Sequence, residues 1–133
     1  MNVEETFVMI KPDGVRRGLE TEIIRRIEKA GLEISEMRRK RLTREEAEEL
    51  YAPHRGKEFF QSLIEFAISG EVVLMRVRGE HAISRMRELI GPTDPLKAPK
   101  GTIRGDFGTS ITHNVIHAAD SPANARRELS IFF

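Results

Sequence analysis

The chain has 133 residues, 39% hydrophobic and 32% charged, with a net charge of +1. That length and balance fit one globular domain over residues 1–133 and exclude a disordered composition. The absence of cysteine excludes a disulfide scaffold, a thiolate metal site and a cysteine nucleophile, which leaves His, Ser, Thr, Lys, Tyr or a carboxylate for covalent catalysis.

Thr6 to Lys11 reads as a strand with Phe7 and Met9 on one face and Val8 and Ile10 on the other, the two-sided pattern of a central strand. Lys11-Pro12-Asp13-Gly14 then reads as a turn. Leu19, Ile23, Ile24, Ile27 and Ala30 mark an amphipathic helix, with Gly31 just past its end. A second strand is expected from Leu32 to Leu42. Thr43 and Glu46 form a capping box for a short helix ending near Tyr51. Phe59, Phe60, Leu63, Ile64 and Ala67 mark another helix, stopped near Ser69-Gly70. Val72 to Arg78 reads as the third strand, followed by a helix on Ala82, Ile83, Met86, Leu89 and Ile90 that Gly91-Pro92 ends. Pro92 to Ser110 has no periodicity and reads as a long functional loop. Asn114 to His117 is expected to be a short fourth strand, and Ser121-Pro122 an N-cap and first helical residue.

This order predicts an α+β fold: a ferredoxin-like, four-stranded antiparallel sheet of split βαβ type with helices on one face. A doubly wound parallel sheet is the alternative. The longest apolar runs fall far short of the roughly 20 residues of a membrane span. No basic segment followed by a long apolar block opens the chain, so a cytoplasmic location is expected.

Phosphate-loop and dinucleotide-binding glycine patterns are both missing. Any phosphate must therefore be held by side chains, chiefly Arg and Lys, with Mg²⁺. His117 ends an apolar strand just ahead of a capped helix, where negative charge is favoured. A neutral imidazole there is a good nucleophile toward a phosphoryl group. Taken alone, it also fits a strand-end histidine satisfied by a backbone carbonyl, the commoner fate of such a residue. Strict alternation puts Asn114 and His117 on opposite faces, so for both to face one ligand the strand must bulge or end early.

The run Asn114-Val115-Ile116-His117-Ala118-Ala119-Asp120-Ser121 resembles the active-site signature N-x-x-H-G/A-S-D-S of nucleoside diphosphate kinases. Phe7 to Gly14 resembles the family's first strand and its lysine, Gly91 to Pro95 its G-x-T-x-P loop, and Gly101 to Phe107 a further block, all in family order. The resemblance implies that His117 accepts the γ-phosphoryl group of a nucleoside triphosphate and passes it to a diphosphate. It implies that Lys11, Arg87 and Arg104 neutralise the phosphates, that Thr93 and Tyr51 contact them, and that Asn114 with Lys11 binds the ribose. Glu128 would orient the imidazole. Phe59 would stack on the base, with Leu63 and Ile111 lining an apolar slot tolerant of every base. Mg²⁺ would ride on the substrate phosphates, without dedicated protein ligands. A homohexamer is expected, since family members form hexamers or related tetramers. Singly, each of these residues has a structural explanation, such as core for Phe59, a solvated charge for Arg87, a snorkelling charge for Lys11 and a tight turn for Gly101 to Phe107.

Two positions depart from the family pattern. Ala119 stands where Ser is usual, and a hydroxyl there joins the network around His117 and Glu128. Pro99-Lys100-Gly101 replaces a Pro immediately before the Gly, a change that bears on assembly more than chemistry. Competing functions are a nucleic-acid-binding ferredoxin-like module, a catalytically dead relative serving assembly, and a protein histidine phosphotransferase. The first would want exposed aromatics on central strands and a basic face.

Overall fold

The computed structural model describes residues 3–133. Strand β1 (Val3–Ile10) runs into a one-turn helix, α1 (Pro12–Arg16), and then α2 (Glu20–Lys29). Strand β2 (Glu33–Arg41) leads through α3 (Arg44–Leu50) and α4 (Phe60–Ala67) to β3 (Glu71–Glu80). Helices α5 (Ala82–Ile90) and α6 (Ile103–Phe107), strand β4 (Ile116–Ala118) and helix α7 (Pro122–Phe132) complete the chain.

The strands form one four-stranded sheet in the order β2-β3-β1-β4. Every neighbouring pair is antiparallel, with Val8 opposite Met75 and Met9 opposite His117. This is the ferredoxin-like sheet expected from the sequence, and it excludes the doubly wound parallel alternative. β1 is central, and its side chains divide as the alternation predicts. Val8 and Ile10 enter a core with Ile23 and Ile27 of α2 and Met86 and Ile90 of α5. Those two crossover helices cover one face of the sheet. Phe7 and Met9 enter a second core with Leu50, Ile64, Leu129 and Phe132, from α3, α4 and α7. Each such fully buried side chain contributes on the order of 1.5–3 kcal/mol. Phe7, the one aromatic on the two central strands, is fully buried, which leaves no stacking platform of the kind a nucleic-acid module would use.

The capping box of α3 is present, with Thr43 Oγ1 accepting from Glu46 N–H and Glu46 reaching back to Thr43 N–H. Ser121 likewise caps α7 by accepting from Asn124 N–H.

Three expectations need correction. Pro12 to Arg16 is a helical turn rather than a plain turn. Pro12 presets φ for the first helical position, and the Asp13 carboxylate bonds Val115 N–H instead of closing a local turn. The stretch Pro92 to Ser110 is not structureless. A 3-10 turn at Pro95–Lys97 is capped by Asp94, and α6 is capped by Thr102. Both pieces are too short to leave a readable period. Finally, β4 begins at Ile116, not Asn114, because Val115 adopts a left-handed φ of 67°.

Candidate active site

At the C-terminal end of β1, a cavity of about 530 Å³ opens between α4, α7 and the segment before β4. His117, Lys11, Glu128, Tyr51, Phe59, Leu63, Arg87, Thr93, Arg104, Ile111 and Asn114 all line it. Residues from both ends of the chain thus meet in one place.

His117 lies on β4, and its Nε2 sits 2.8 Å from Glu128 Oε1 on α7. Glu128 is 3% exposed. A carboxylate can only accept, so the proton belongs on Nε2 and the lone pair on Nδ1. Phe7 and Tyr51 flank the ring, with centroids 5.9 and 5.8 Å away. Arg127 Nη2 donates to the second Glu128 oxygen at 3.4 Å. The same guanidinium is anchored on the Glu49 and Leu50 carbonyls at the end of α3. The acid that fixes the imidazole is therefore itself fixed.

The wall around the histidine is cationic. Lys11 Nζ donates to Asn114 Oδ1 and to the Thr112 carbonyl, both at 2.9 Å. Arg104 is almost fully buried and donates to the Gly91 and Ile116 carbonyls. Arg87 Nη1 donates to the Ala118 carbonyl at 3.0 Å. Burial pushes the Lys11 ammonium down to about 8, Asp13 opposes the fall, and Arg104 adds to it. Burial, then the neighbouring Arg87, pushes Arg104 down to about 10. Two atoms at this wall, Arg104 Nε and Tyr51 Oη, are buried without a hydrogen-bond partner. Crowded cations and orphaned donors form a site that an anion would relieve.

The far end is apolar and open. Phe59 is 46% and Ile111 60% exposed, and the partly buried Leu63 also lines the cavity. Phe59 is thus not core, the structural explanation its sequence context favours. It stands just before α4, facing His54 with ring centroids 5.4 Å apart.

The left-handed Val115 resolves the conflict between alternation and a shared ligand. It separates Asn114 from β4, so Asn114 Nδ2 reaches the Thr93 carbonyl at 3.0 Å while His117 faces the same cavity. A β-branched residue with φ above zero is a backbone outlier, costing of the order of 1–3 kcal/mol. Gly14 permits the arrangement, since a Cβ there would lie 2.9 Å from the Val115 carbonyl oxygen.

Sequence reading missed His54, Asp120, Asn124 and Arg127, all of which line the cavity. Burial, then Lys57 and His117, holds the His54 imidazole below its usual value. Asp120 accepts from Asn124 at 2.8 Å, and Asn124 from Arg127 at 3.2 Å. Asn124 was a legible signal, because it lies four residues before Glu128 on the same face of α7, with Arg127 at i, i+3 from it; Asp120 lies ahead of the helix cap. His113 and His81 stay outside the cavity. His113 packs against Phe66 with ring centroids 4.3 Å apart and planes tilted by 51°, and His81 precedes α5 with a left-handed φ. Among the described residues no group of three or more His, Cys, Asp or Glu is placed to hold a metal ion, and no helix is long and apolar enough to cross a membrane.

The family model for nucleoside diphosphate kinase matches residues 4–133. The chain is 57% identical over 133 residues to a nucleoside diphosphate kinase of Staphylothermus marinus, covering 100% of this chain and 94% of that protein. It is 58% identical to one of Hyperthermus butylicus with the same coverage. The Aquifex aeolicus nucleoside diphosphate kinase structure superimposes with a TM-score of 0.96 at 42% identity, over 99% of this chain and 96% of that one. A halophilic enzyme from Halobacterium salinarum, solved in complex with CDP, gives 0.96 at 43% identity over 99% and 88%. With the family model spanning nearly the whole chain and relatives this similar at full coverage, the chain belongs to the nucleoside diphosphate kinase family and is a phosphotransferase.

Proposed function

We propose that the chain, acting as one domain, moves the γ-phosphoryl group of a nucleoside triphosphate to a nucleoside diphosphate in two half-reactions through His117. In the first, the His117 Nδ1 lone pair attacks the γ-phosphorus. The bond from that phosphorus to the β,γ-bridging oxygen breaks, and the diphosphate leaves with the bonding pair. In the second, a terminal oxygen of the acceptor diphosphate attacks phosphohistidine and returns the electron pair to Nδ1. One pocket serving both directions gives ping-pong kinetics.

The observation that carries this reading is the pairing of an oriented imidazole with a crowded cationic wall. Glu128 accepts the Nε2 proton at 2.8 Å, which keeps the nucleophilic lone pair on Nδ1 and stabilises the ring when phosphorylation gives it charge. Lys11, Arg87 and Arg104 meet charge spread over the transferring group's oxygens. Tyr51 Oη and Thr93 add hydroxyl contacts to phosphate, and Asn114 with Lys11 takes the ribose hydroxyls. Phe59, Leu63 and Ile111 form the base slot. Their apolar surface has no base-edge donor, which favours broad base tolerance. The donor set suits Mg²⁺ carried on the substrate phosphates, since lysine and arginine are not ligands, Glu128 is committed to His117, and Asp120 is a lone carboxylate already accepting from Asn124. Bound there, the ion would neutralise phosphate charge and hold the chain's conformation.

We extend the reading to a cytoplasmic homohexamer. Its support is the apolar surface left open on the edge strand and the Pro95 turn, where Met37 is 54% and Leu96 89% exposed. Light scattering coupled to size exclusion gives the mass, and a monomer would remove that extension.

The test of the phosphotransfer is direct. Protein is mixed with γ-³²P-ATP and Mg²⁺, freed of nucleotide, and chased with GDP, with His117→Ala alongside. Acid-labile, base-stable label on the wild type alone, released as GTP, is expected. Label that persists in His117→Ala would take His117 out of the mechanism.

A further inference from the structure

Asp13 is a buried acid for which the phosphotransfer outlined above has no task. It lies in α1 and is 6% exposed. Oδ2 accepts the Val115 N–H at 3.1 Å, while Oδ1 has no partner. Burying a carboxylate is costly unless its charge or its hydrogen bonds are used. Here both have a use.

The hydrogen bond falls on the strained residue of the site. Val115 is gripped from two sides, since Lys11 N–H donates to its carbonyl at 2.8 Å while Asp13 holds its N–H. Next to it, Ile116 N–H turns back to the Asn114 carbonyl at 2.9 Å, and Arg104 holds the Ile116 carbonyl at 2.8 Å. An extended Val115 would send Asn114 to the opposite face from His117. The left-handed conformation brings both to the same cavity.

The charge falls on Lys11. Around that ammonium stand Arg104 from α6, the Phe66 ring of α4 at 5.6 Å, and the acceptors Asn114 Oδ1 and Thr112 O. Arg16 and His113 flank Phe66. Asp13 is the anion in this set, and it opposes the push of burial and Arg104 toward a neutral amine.

We propose that Asp13 is a positioning residue of the phosphotransfer site, whose carboxylate clamps Val115 so that Asn114 and His117 share one wall and whose charge backs the Lys11 ammonium. The proposal rests on the His117 phosphotransfer reading. Two variants separate its halves. Asp13→Asn keeps an oxygen for the Val115 N–H and removes the charge, whereas Asp13→Ala removes both.

The experiment is rapid-quench phosphorylation of His117 by γ-³²P-ATP and Mg²⁺ from about pH 6 to about pH 10, with thermal unfolding of each variant. At saturating nucleotide Asp13→Ala is expected to label about 100-fold more slowly than wild type, the scale of a 1 Å misplacement. Asp13→Asn should stay within about tenfold at neutral pH. Its second-order rate constant should fall on the alkaline side about one pH unit earlier, as loss of a nearby opposite charge requires. A folded Asp13→Ala that labels at the wild-type rate would overturn the clamp. An alkaline limb in Asp13→Asn that superimposes on wild type would overturn the charge role, and this arm still decides if Asp13→Ala does not fold. Failure of the wild type itself to label would sink the phosphotransfer reading, an outcome visible separately from both.

Discussion

Lys11, Arg104, Asn114 and Glu128 at one end of the cavity are each no more than 4% exposed, whereas Phe59 and Ile111 at the other are 46% and 60% exposed. The buried end is held by hydrogen bonds of fixed geometry to backbone carbonyls and to partner side chains. The open end offers exposed apolar faces, with only the His54 ring and the Lys57 ammonium beside Phe59. Rigid, charged groups suit the part of a nucleotide that is always the same, and a loose apolar slot suits the part that varies. Substitutions at the two ends should therefore fail differently, in rate at the first and in affinity at the second.

The largest effect is expected at the proposed nucleophile. His117→Ala should lower turnover by at least about 10⁴-fold, as for other covalent catalysts. It should leave nucleotide binding within about tenfold, since the cationic wall remains. Equilibrium binding of a nonhydrolysable triphosphate checks the second part. Loss of both together would mean that the imidazole also holds the buried end in place, against the division between rate and affinity.

Lys11→Met comes next, with a loss of about 10²–10³-fold, the scale for removing one donor to developing charge. Lys11 also gives the buried end a pH signature. The folded protein releases this proton near pH 8, while the ordinary value is 10.5. Between those values the unfolded chain holds more protons, so stability rises with pH across that window. Relative to Lys11→Met, the nucleotide-free wild type should gain about 3 kcal/mol from pH 8 to pH 10.5. Activity should move the other way, with kcat/KM falling as pH rises through about 8. Denaturant titrations of both proteins across that window would break this account if the difference stayed constant.

The two ends also differ in how legible they were. The sheet, the crossover helices and both caps follow from alternation, helical spacing and short capping motifs, because burial imposes those patterns on every turn. The buried end was legible only through resemblance. Lys11, Arg104 and Glu128 are single charges in three separated segments, and nothing local to any of them says that they meet. A bulge or early end of β4 followed from alternation if Asn114 and His117 share a ligand, but neither its place at Val115 nor the Asp13 clamp was legible. A backbone kink held by a side chain from the other end of the chain leaves no period, and valine is the wrong residue to announce it. Asn124 could have been found, since it lies one helical turn before Glu128 on α7, and Arg127 through its i, i+3 spacing from Asn124.

At the open end, Phe59→Ala should raise the KM for every nucleotide by about tenfold, the loss of one stacking surface. The factor should be similar for purines and pyrimidines, with kcat little changed. A loss confined to one base would show that the slot reads a base edge, and the contrast drawn here would fail at that end.

Ala119→Ser is expected to do least, although it restores the residue usual in the family. A new hydroxyl hydrogen bond near Glu128 is worth on the order of 1 kcal/mol, about tenfold or less in rate. Two features of this chain reduce even that. Glu128 already has both oxygens engaged, one by His117 and the other by Arg127 at 3.4 Å. Ala119 is 1% exposed and packs with Ile83 and Ala125, so a hydroxyl enters an apolar cluster and gives back part of what it gains. Turnover should change by less than about tenfold, measured as kcat with unfolding temperature alongside. A rise of about a thousandfold would require roughly 4 kcal/mol. That is more than one hydrogen bond to an already held carboxylate can supply, and it would mean that Glu128 does not position His117 in the unmodified chain.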